Sequence, residues 1–280
     1  MKGRKLYSYH THTNFSDGCH SVEEMVTRAV ELGIKELGIS DHLIVHKNFK
    51  QSPDWELLQT YPRNHIYRTD FEQATKDFIK HKEHILDVAS HYSLKVYIGA
   101  EVDFFTYTGW KEDFMDFRRQ TNLDYYISGN HYFFSEKCDY PLEPAALEKN
   151  IPDKKEQREL ITRHFATISH SAASGLFDFI AHIDYARRCK LCKDDDFIAE
   201  KQALLQTLAQ YNVPAETSTK GIRKNGYCYP ALWQLQQMHK LGVKTLITDD
   251  AHCTTELLQD YHHAADILAK IGFADFWKLK

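Results

Sequence analysis

Seven short apolar segments alternate with longer amphipathic ones along this chain. That alternation dictates an α/β fold built from successive strand–helix units. The segments fall near 6–9, 36–40, 95–100, 124–129, 177–182, 213–218 and 243–248. The first helix has the clearest start: Ser21 and Glu24 are spaced as a capping box. Val22, Met25, Val26, Ala29 and Val30 then recur at helical spacing, and Gly33 stops the run. Further helices are predicted at 71–91, 155–173, 196–211, 229–241 and 254–271, the long one with Phe71, Ala74, Phe78, Ile85 and Ala89 on its apolar face. No Pro/Gly/Ser-rich linker divides the 280 residues. An α/β barrel of about 250 residues is common, so one barrel-type domain over 1–280 is expected. Two stretches fit the pattern poorly. Residues 43–70 carry Trp55, Tyr61, Pro62 and Tyr67, and residues 133–153 carry Cys138, Pro141, Pro144 and Pro152. They read as lids or walls over a site, or as peripheral decoration.

The polar residues fall at the strand ends. The first strand ends in His10-Thr11-His12 with Asp17 in the next loop, and the second in Ser40-Asp41-His42. The third ends in Glu101-Val102-Asp103, the fourth in Asn130-His131, the fifth in His182-Ile183-Asp184, the sixth in Glu216, and the seventh in Asp249-Asp250-Ala251-His252. Parallel strands present these ends on one face, the active face of such barrels. His10-x-His12 on extended backbone turns both rings to one side, and Asp250-x-His252 repeats the geometry. Any single histidine here is an ordinary polar residue; the ordered set points to metal. Nine ligands are proposed: His10, His12, Asp17, His42, Glu101, His131, His182, Asp250 and His252. Imidazole and carboxylate without thiolate suit Zn, Fe or Mn. Nine donors suit more than one ion, and three ions sharing a bridging carboxylate fit naturally. Three divalent ions outweigh the three carboxylates by about +3, which favours an anionic substrate such as a phosphate ester.

Composition narrows the rest. The chain has 17 histidines, a net charge of −4 and 6 cysteines. The acidic balance argues against a nucleic-acid-holding protein. No apolar run approaches the ~18 residues of a membrane span. The basic start lacks the apolar core of a signal peptide, so a cytoplasmic location with free thiols is expected. Cys189-x-x-Cys192 lacks the second pair of a zinc ribbon and reads as two ordinary residues.

The segments YHTHTNFSDG, GISDH, IGAEVD, SGNHYF, FIAHIDYARR and ITDDAH, in this order, resemble the PHP (polymerase and histidinol phosphatase) superfamily, and within it the histidinol-phosphatases. The resemblance implies a distorted (β/α)7 barrel with a trinuclear metal site. His10, His12, Glu101 and Asp250 would hold the first ion, Glu101 with His131 and His182 the second, and Asp17, His42 and His252 the third. His20 is a rival to Asp17. HIDYARR and ETSTKGIRK resemble segments that supply phosphate-binding arginines, which carries that role to Arg187 or Arg188 and to Arg223. Ser40 and Glu216 are further candidates for substrate contact, and Glu216, Asp184 and the 43–70 stretch for the imidazole and amine. Asn130 departs from the family, where a small apolar residue is expected.

The implied activity is hydrolysis of L-histidinol phosphate to L-histidinol and phosphate, a step of histidine synthesis, by a metal-bound hydroxide. His20 or a metal-bound water would protonate the leaving alkoxide. Two other readings stand beside it: a PHP-type phosphoesterase acting on another small phosphomonoester or on nucleotides and oligonucleotides, and a metal-binding module without catalysis. The sequence carries no signal for oligomeric state.

Overall fold

The computed structural model describes residues 6–53, 55–56, 66–133 and 141–280. Tyr61, Pro62 and Cys138 lie outside them. Seven parallel strands follow one another in chain order: β1 (Tyr7–Ser8), β2 (Glu36–Ile39), β5 (Lys95–Val102), β6 (Tyr125–Ser128), β7 (Phe179–Ile180), β8 (Ala215–Ser218) and β9 (Thr245–Thr248). Each coincides with one expected segment. Beyond the ends of β1 and β9 a single parallel bridge, Thr11 to Ala251, joins the first strand to the last and closes the ring. The result is an α/β barrel of TIM-like type.

Two further strands occupy 43–70, which the sequence leaves without secondary structure. After a break at Ser40–Asp41, β3 (His42–Val45) pairs in parallel with the C-terminal half of β5, with His42 opposite Glu101. Outside it, β4 (Tyr67–Arg68) pairs with β3 through Ile44 and Tyr67. Runs of four and two residues are too short for periodicity to mark.

The helices pack on the outside. α1 (Val22–Glu31) has the expected capping box between Ser21 and Glu24 and buries Val22, Met25, Val26 and Ala29. α2 (Phe71–Ser90) begins at an Asp70 cap that accepts from the amides of Glu72 and Gln73. α3 (Trp110–Thr121) is absent from the sequence reading, although it buries Trp110, Phe114, Phe117 and Thr121 at spacings of four, three and four. α4 (Lys154–Ala173), α5 (Ile198–Gln210), α6 (Lys220–Asn225), α7 (Leu232–Leu241) and α8 (Tyr261–Ile271) follow, with a single helical turn at Leu147–Asn150 ahead of α4. The expected helix at 254–271 starts seven residues late, because 254–256 form a 3-10 turn. Cys189 and Cys192 are buried in the core, as expected of ordinary residues. Among the described residues no helix is long and apolar enough to cross a membrane.

Inside the ring, Tyr7, Tyr9, Tyr97, Tyr125, Phe179 and Leu246 form an apolar layer. Tyr125 claims its room from two glycines. A Cβ on Gly38 or Gly99 would lie 2.3 or 2.5 Å from atoms of its side chain. The C-terminal tail stoppers the N-terminal end: Trp277 N donates to Thr245 O at 2.7 Å and Trp277 O accepts from the Tyr7 hydroxyl at 3.3 Å. Polar side chains are thereby confined to the opposite mouth.

Candidate metal centre

Glu101, fully buried on β5, is the hub of that mouth. Its Oε1 lies 3.2 Å from His10 Nε2, 3.3 Å from His131 Nε2 and 3.0 Å from His182 Nε2. Its Oε2 lies 2.9 Å from His42 Nδ1 and 3.4 Å from His12 Nε2. Asp250 Oδ1 stands 3.4 Å from His12 Nε2 and 3.8 Å from His10 Nε2. On the rim, Asp17 reaches His42 Nε2 at 3.3 Å and His252 Nε2 at 3.2 Å. All nine side chains proposed from the sequence therefore meet in one place. The fold also groups Glu216 with His10 and His182.

The imidazoles are oriented from behind. His10 Nδ1 bonds Glu216 Oε2 at 2.8 Å, His131 Nδ1 bonds Asp103 Oδ2 at 2.8 Å, His182 Nδ1 bonds Gly129 O at 3.0 Å, and His252 Nδ1 bonds Asp250 O at 3.0 Å. An oxygen at Nδ1 takes the ring proton and leaves the Nε2 lone pair facing inward, as metal-ligating histidines are held. Asp41 fixes the loop that carries Asp17. It accepts from Thr13 N at 2.7 Å, Ser16 Oγ at 2.5 Å and His81 Nε2 at 2.8 Å.

Backbone conformation at three strand ends is unusual. Asn130, His182 and Asp250 have φ of 52°, 30° and 47°. Such residues cluster at functional sites, where the surrounding fold imposes the strain. Asn130 thus has a local reason: asparagine tolerates the left-handed region better than an apolar residue, and its amide donates to Ser128 Oγ. Next to it, a Cβ on Gly129 would lie 2.6 Å from His131 Cε1 and 2.8 Å from Glu101 Oε1.

The electrostatics suit cations. Burial raises the Glu101 pKa, but His131, His10, His42 and His182 together hold it well below the carboxylate range. Asp250 is likewise held low against burial, chiefly by Lys220. Burial, with His252 and His42 close by, pushes His12 down to about 3, so it is neutral with its lone pair available. Burial also disfavours the charged form of His131, yet Glu101 and Asp103 bring it up to about 9. The buried atoms His10 Nε2, His12 Nδ1 and Nε2, His42 Nδ1, and Glu101 Oε1 and Oε2 have no hydrogen-bond partner. Unsatisfied buried polar atoms cost about 1–3 kcal/mol each. An all-nitrogen-and-oxygen donor set with these orphaned atoms fits divalent cations.

Two joined cavities open over the cluster. The larger, about 540 Å³, is walled by Ile44, Ile66, Tyr67, Tyr132, Glu143, Tyr185 and Arg188. The smaller, about 340 Å³, is lined by Asp184, Tyr185, Arg187, Arg188, Lys220, Lys224, Tyr229 and the cluster itself. Both 43–70 and 133–153 thus supply walls. Arg187 and Arg188 both reach the smaller cavity. Arg187 is pinned against Tyr227 and Tyr229 and pairs with Asp194 at 3.2 Å. Arg188 pairs with Glu143 at 2.7 Å where the cavities meet.

Four expected positions fall elsewhere. His20 opens on a separate cleft beside α1, where its Nδ1 accepts from Thr254 N at 3.3 Å. Arg223 turns to Asp249 O at 2.8 Å, away from both cavities. Ser40 is buried against the backbone of Thr11. Glu216 lies behind His10, where its oxygens also accept from His182 N and Thr248 Oγ1 at 2.8 and 2.9 Å. Lys220 was missed. It follows β8 directly, so the strand-end rule that singled out the histidines applies to it equally. Asp103 was seen at a strand end without a role; period two puts it on the same side as Glu101.

Fold and donor set together define a metal-dependent phosphoesterase barrel. The PHP domain family model matches residues 8–220, and the chain belongs to that family. No curated protein matches the chain in sequence. Among solved structures, histidinol phosphate phosphatase (HISK) from Lactococcus lactis, complexed with Zn, L-histidinol and phosphate, is 16% identical with a TM-score of 0.70, covering 99% of this chain and 97% of that one. A candidate histidinol phosphatase, hisK, from Listeria monocytogenes is 20% identical with a TM-score of 0.69, covering 92% and 99%. A structure from the work on YwqE of Bacillus subtilis and CpsB of Streptococcus pneumoniae, metal-dependent tyrosine phosphatases, is 14% identical with a TM-score of 0.52, covering 96% and 88%. At these identities the likeness is one of fold.

Proposed function

We propose that this chain hydrolyses a small phosphomonoester at three divalent ions (Zn, Fe or Mn), and that the substrate is L-histidinol phosphate. The observation that carries this reading is the common orientation of His10, His131, His182 and His252, each held through Nδ1 with Nε2 turned inward. His10, His12, Glu101 and Asp250 would hold one ion, Glu101, His131 and His182 a second, and Asp17, His42 and His252 a third. When bound, such ions polarise phosphoryl oxygens and make a coordinated water acidic enough to ionise near neutral pH.

The protein's own groups supply the rest. Lys220, Lys224 and Arg188 surround the smaller cavity with fixed positive charge for the phosphoryl oxygens. Tyr67, Tyr132 and Tyr185 offer aromatic faces, and Glu143 a carboxylate, in the larger cavity. Those groups suit a cationic alcohol carrying an imidazole and an ammonium. The Lactococcus structure, with its zinc, histidinol and phosphate, supports the assignment. The reading takes 1–280 as one domain working in the cytoplasm.

The test is phosphate release from histidinol phosphate, phosphotyrosine, an aryl phosphate and single-stranded DNA, with elemental analysis of the same sample. Fastest release from histidinol phosphate at full metal content is expected. Release from phosphotyrosine alone would reassign the substrate. Full metal content with no release from any of them would leave a binding module.

A further inference from the structure

The barrel closes through one bridge, and two cysteines meet beside it. Thr11 and Ala251 are joined through His12 N to Ala251 O at 2.8 Å and Ala251 N to His10 O at 3.3 Å. Farther along the same seam, Cys19 N donates to His252 O at 2.6 Å and Thr254 N to His20 Nδ1 at 3.3 Å. These bonds lay 19–20 alongside 252–254 and bring Cys19 beside Cys253. Cys19 is exposed and Cys253 half-buried, whereas Cys189, Cys192 and Cys228 are buried.

We propose that Cys19 and Cys253 are a thiol–disulfide site: they form a reversible bond, by exchange with a small disulfide such as oxidised glutathione, that staples the β1–β9 seam. The Cys19 thiolate, the more accessible sulfur, attacks one sulfur of the small disulfide, forms a mixed disulfide and expels one thiolate. Cys253 then loses its proton and attacks Cys19 Sγ, expelling the second. One sulfur–sulfur bond is gained in the protein and one is lost in the oxidant, which leaves as two thiols.

The site's position gives the bond its consequence. One edge of the seam carries His10 and His12, the other Asp250 and His252. This junction and β7–β8 have a single paired position each, whereas β2–β5, β5–β6 and β8–β9 have four. A link from 19 to 253 spans most of the chain, so it strongly restricts the unfolded state. In the native state the backbone already holds the two cysteines side by side. The oxidised form is therefore the more stable one.

The experiment treats the purified full chain with oxidised glutathione, maps peptides without reduction, and compares melting temperatures. The expected result is a Cys19–Cys253 cross-linked peptide, a rise in Tm of at least about 4 °C, and reversal by dithiothreitol. Cys19→Ser and Cys253→Ser should each lose both the cross-link and the rise. Glutathione adducts without the cross-link, or a cross-linked form melting no higher than the reduced one, overturns the proposal. Neither readout uses turnover, so the outcome is independent of the phosphatase reading.

Discussion

Lys220 Nζ lies 2.7 Å from Asp250 Oδ2, while the other oxygen of the same carboxylate faces His12 Nε2 at 3.4 Å. A protein cation thus stands at the edge of the metal cluster, facing the cavity. Lys220→Met should lower kcat/KM for phosphomonoesters by about 10- to 100-fold, the cost of roughly 1.4–3 kcal/mol of charge stabilisation. Metal content should stay full. Lys220→Arg should recover part of the rate. Steady-state kinetics beside elemental analysis checks this; an unchanged rate in Lys220→Met would remove the residue from the phosphate site.

Gly129 has no room for a side chain. A methyl there would meet His131 Cε1 at 2.6 Å and Glu101 Oε1 at 2.8 Å, so Gly129→Ala must displace the shared carboxylate. Activity should fall by about 100-fold or more, the scale of a misplaced catalytic constellation, with reduced metal occupancy. Gly33→Ala, far from the cluster, should leave the rate unaltered.

Chelation should abolish activity and also lower Tm, because the orphaned buried nitrogens and oxygens around Glu101 lose their partners. Adding back Zn, Mn or Fe should restore both. Glu101→Gln should bind fewer ions and melt at a temperature close to the chelated wild type. If chelation left the melting curve unmoved, the orphaned atoms would not be ligands.

Glu143 pairs with Arg188 at 2.7 Å and walls the larger cavity. If it recognises a cationic alcohol, Glu143→Gln should raise KM for histidinol phosphate by about tenfold, the worth of one charge-assisted contact. KM for an aryl phosphate should barely move. An equal change for both substrates would rule out a role in selectivity.

Buried His164 contributes acid sensitivity. Burial pulls its pKa down to about 4, below the ordinary value near 6.5 that an unfolded chain shows. Between those values the unfolded chain takes up a proton that the native one refuses, so stability falls as pH drops from about 6.5 toward 4, on the order of 3 kcal/mol in all. His164→Met should lose less stability than wild type between pH 7 and pH 5 in urea titrations. Equal losses would contradict the assignment.

The barrel was legible because its strands carry two signals at once, an apolar run and a polar terminus. GISDH and IGAEVD announce both. The same feature marks His10, Glu101 and Asp250 as members of one group from the sequence alone. What stayed hidden depends on side-chain direction within short elements. Lys220 and Arg223 share one six-residue helix, α6, and only packing decides that Lys220 faces Asp250 while Arg223 turns to the Asp249 carbonyl. His20 lies three residues from Asp17, yet its ring follows the Thr254 amide. Helix α3 was hidden for another reason: half of its 12 residues are charged, so the stripe of Trp110, Phe114 and Phe117 is narrow.

The tail residues Phe276 and Trp277 pack under the inner aromatic layer, at the end of the ring away from Glu101. A molecule cannot pass through this barrel; it must leave by the doorway it entered. On the proposed reading, the phosphate lies deepest and the alcohol nearest the exit. The alcohol then departs first and the inorganic ion last, so free phosphate should inhibit by competing directly with the incoming ester.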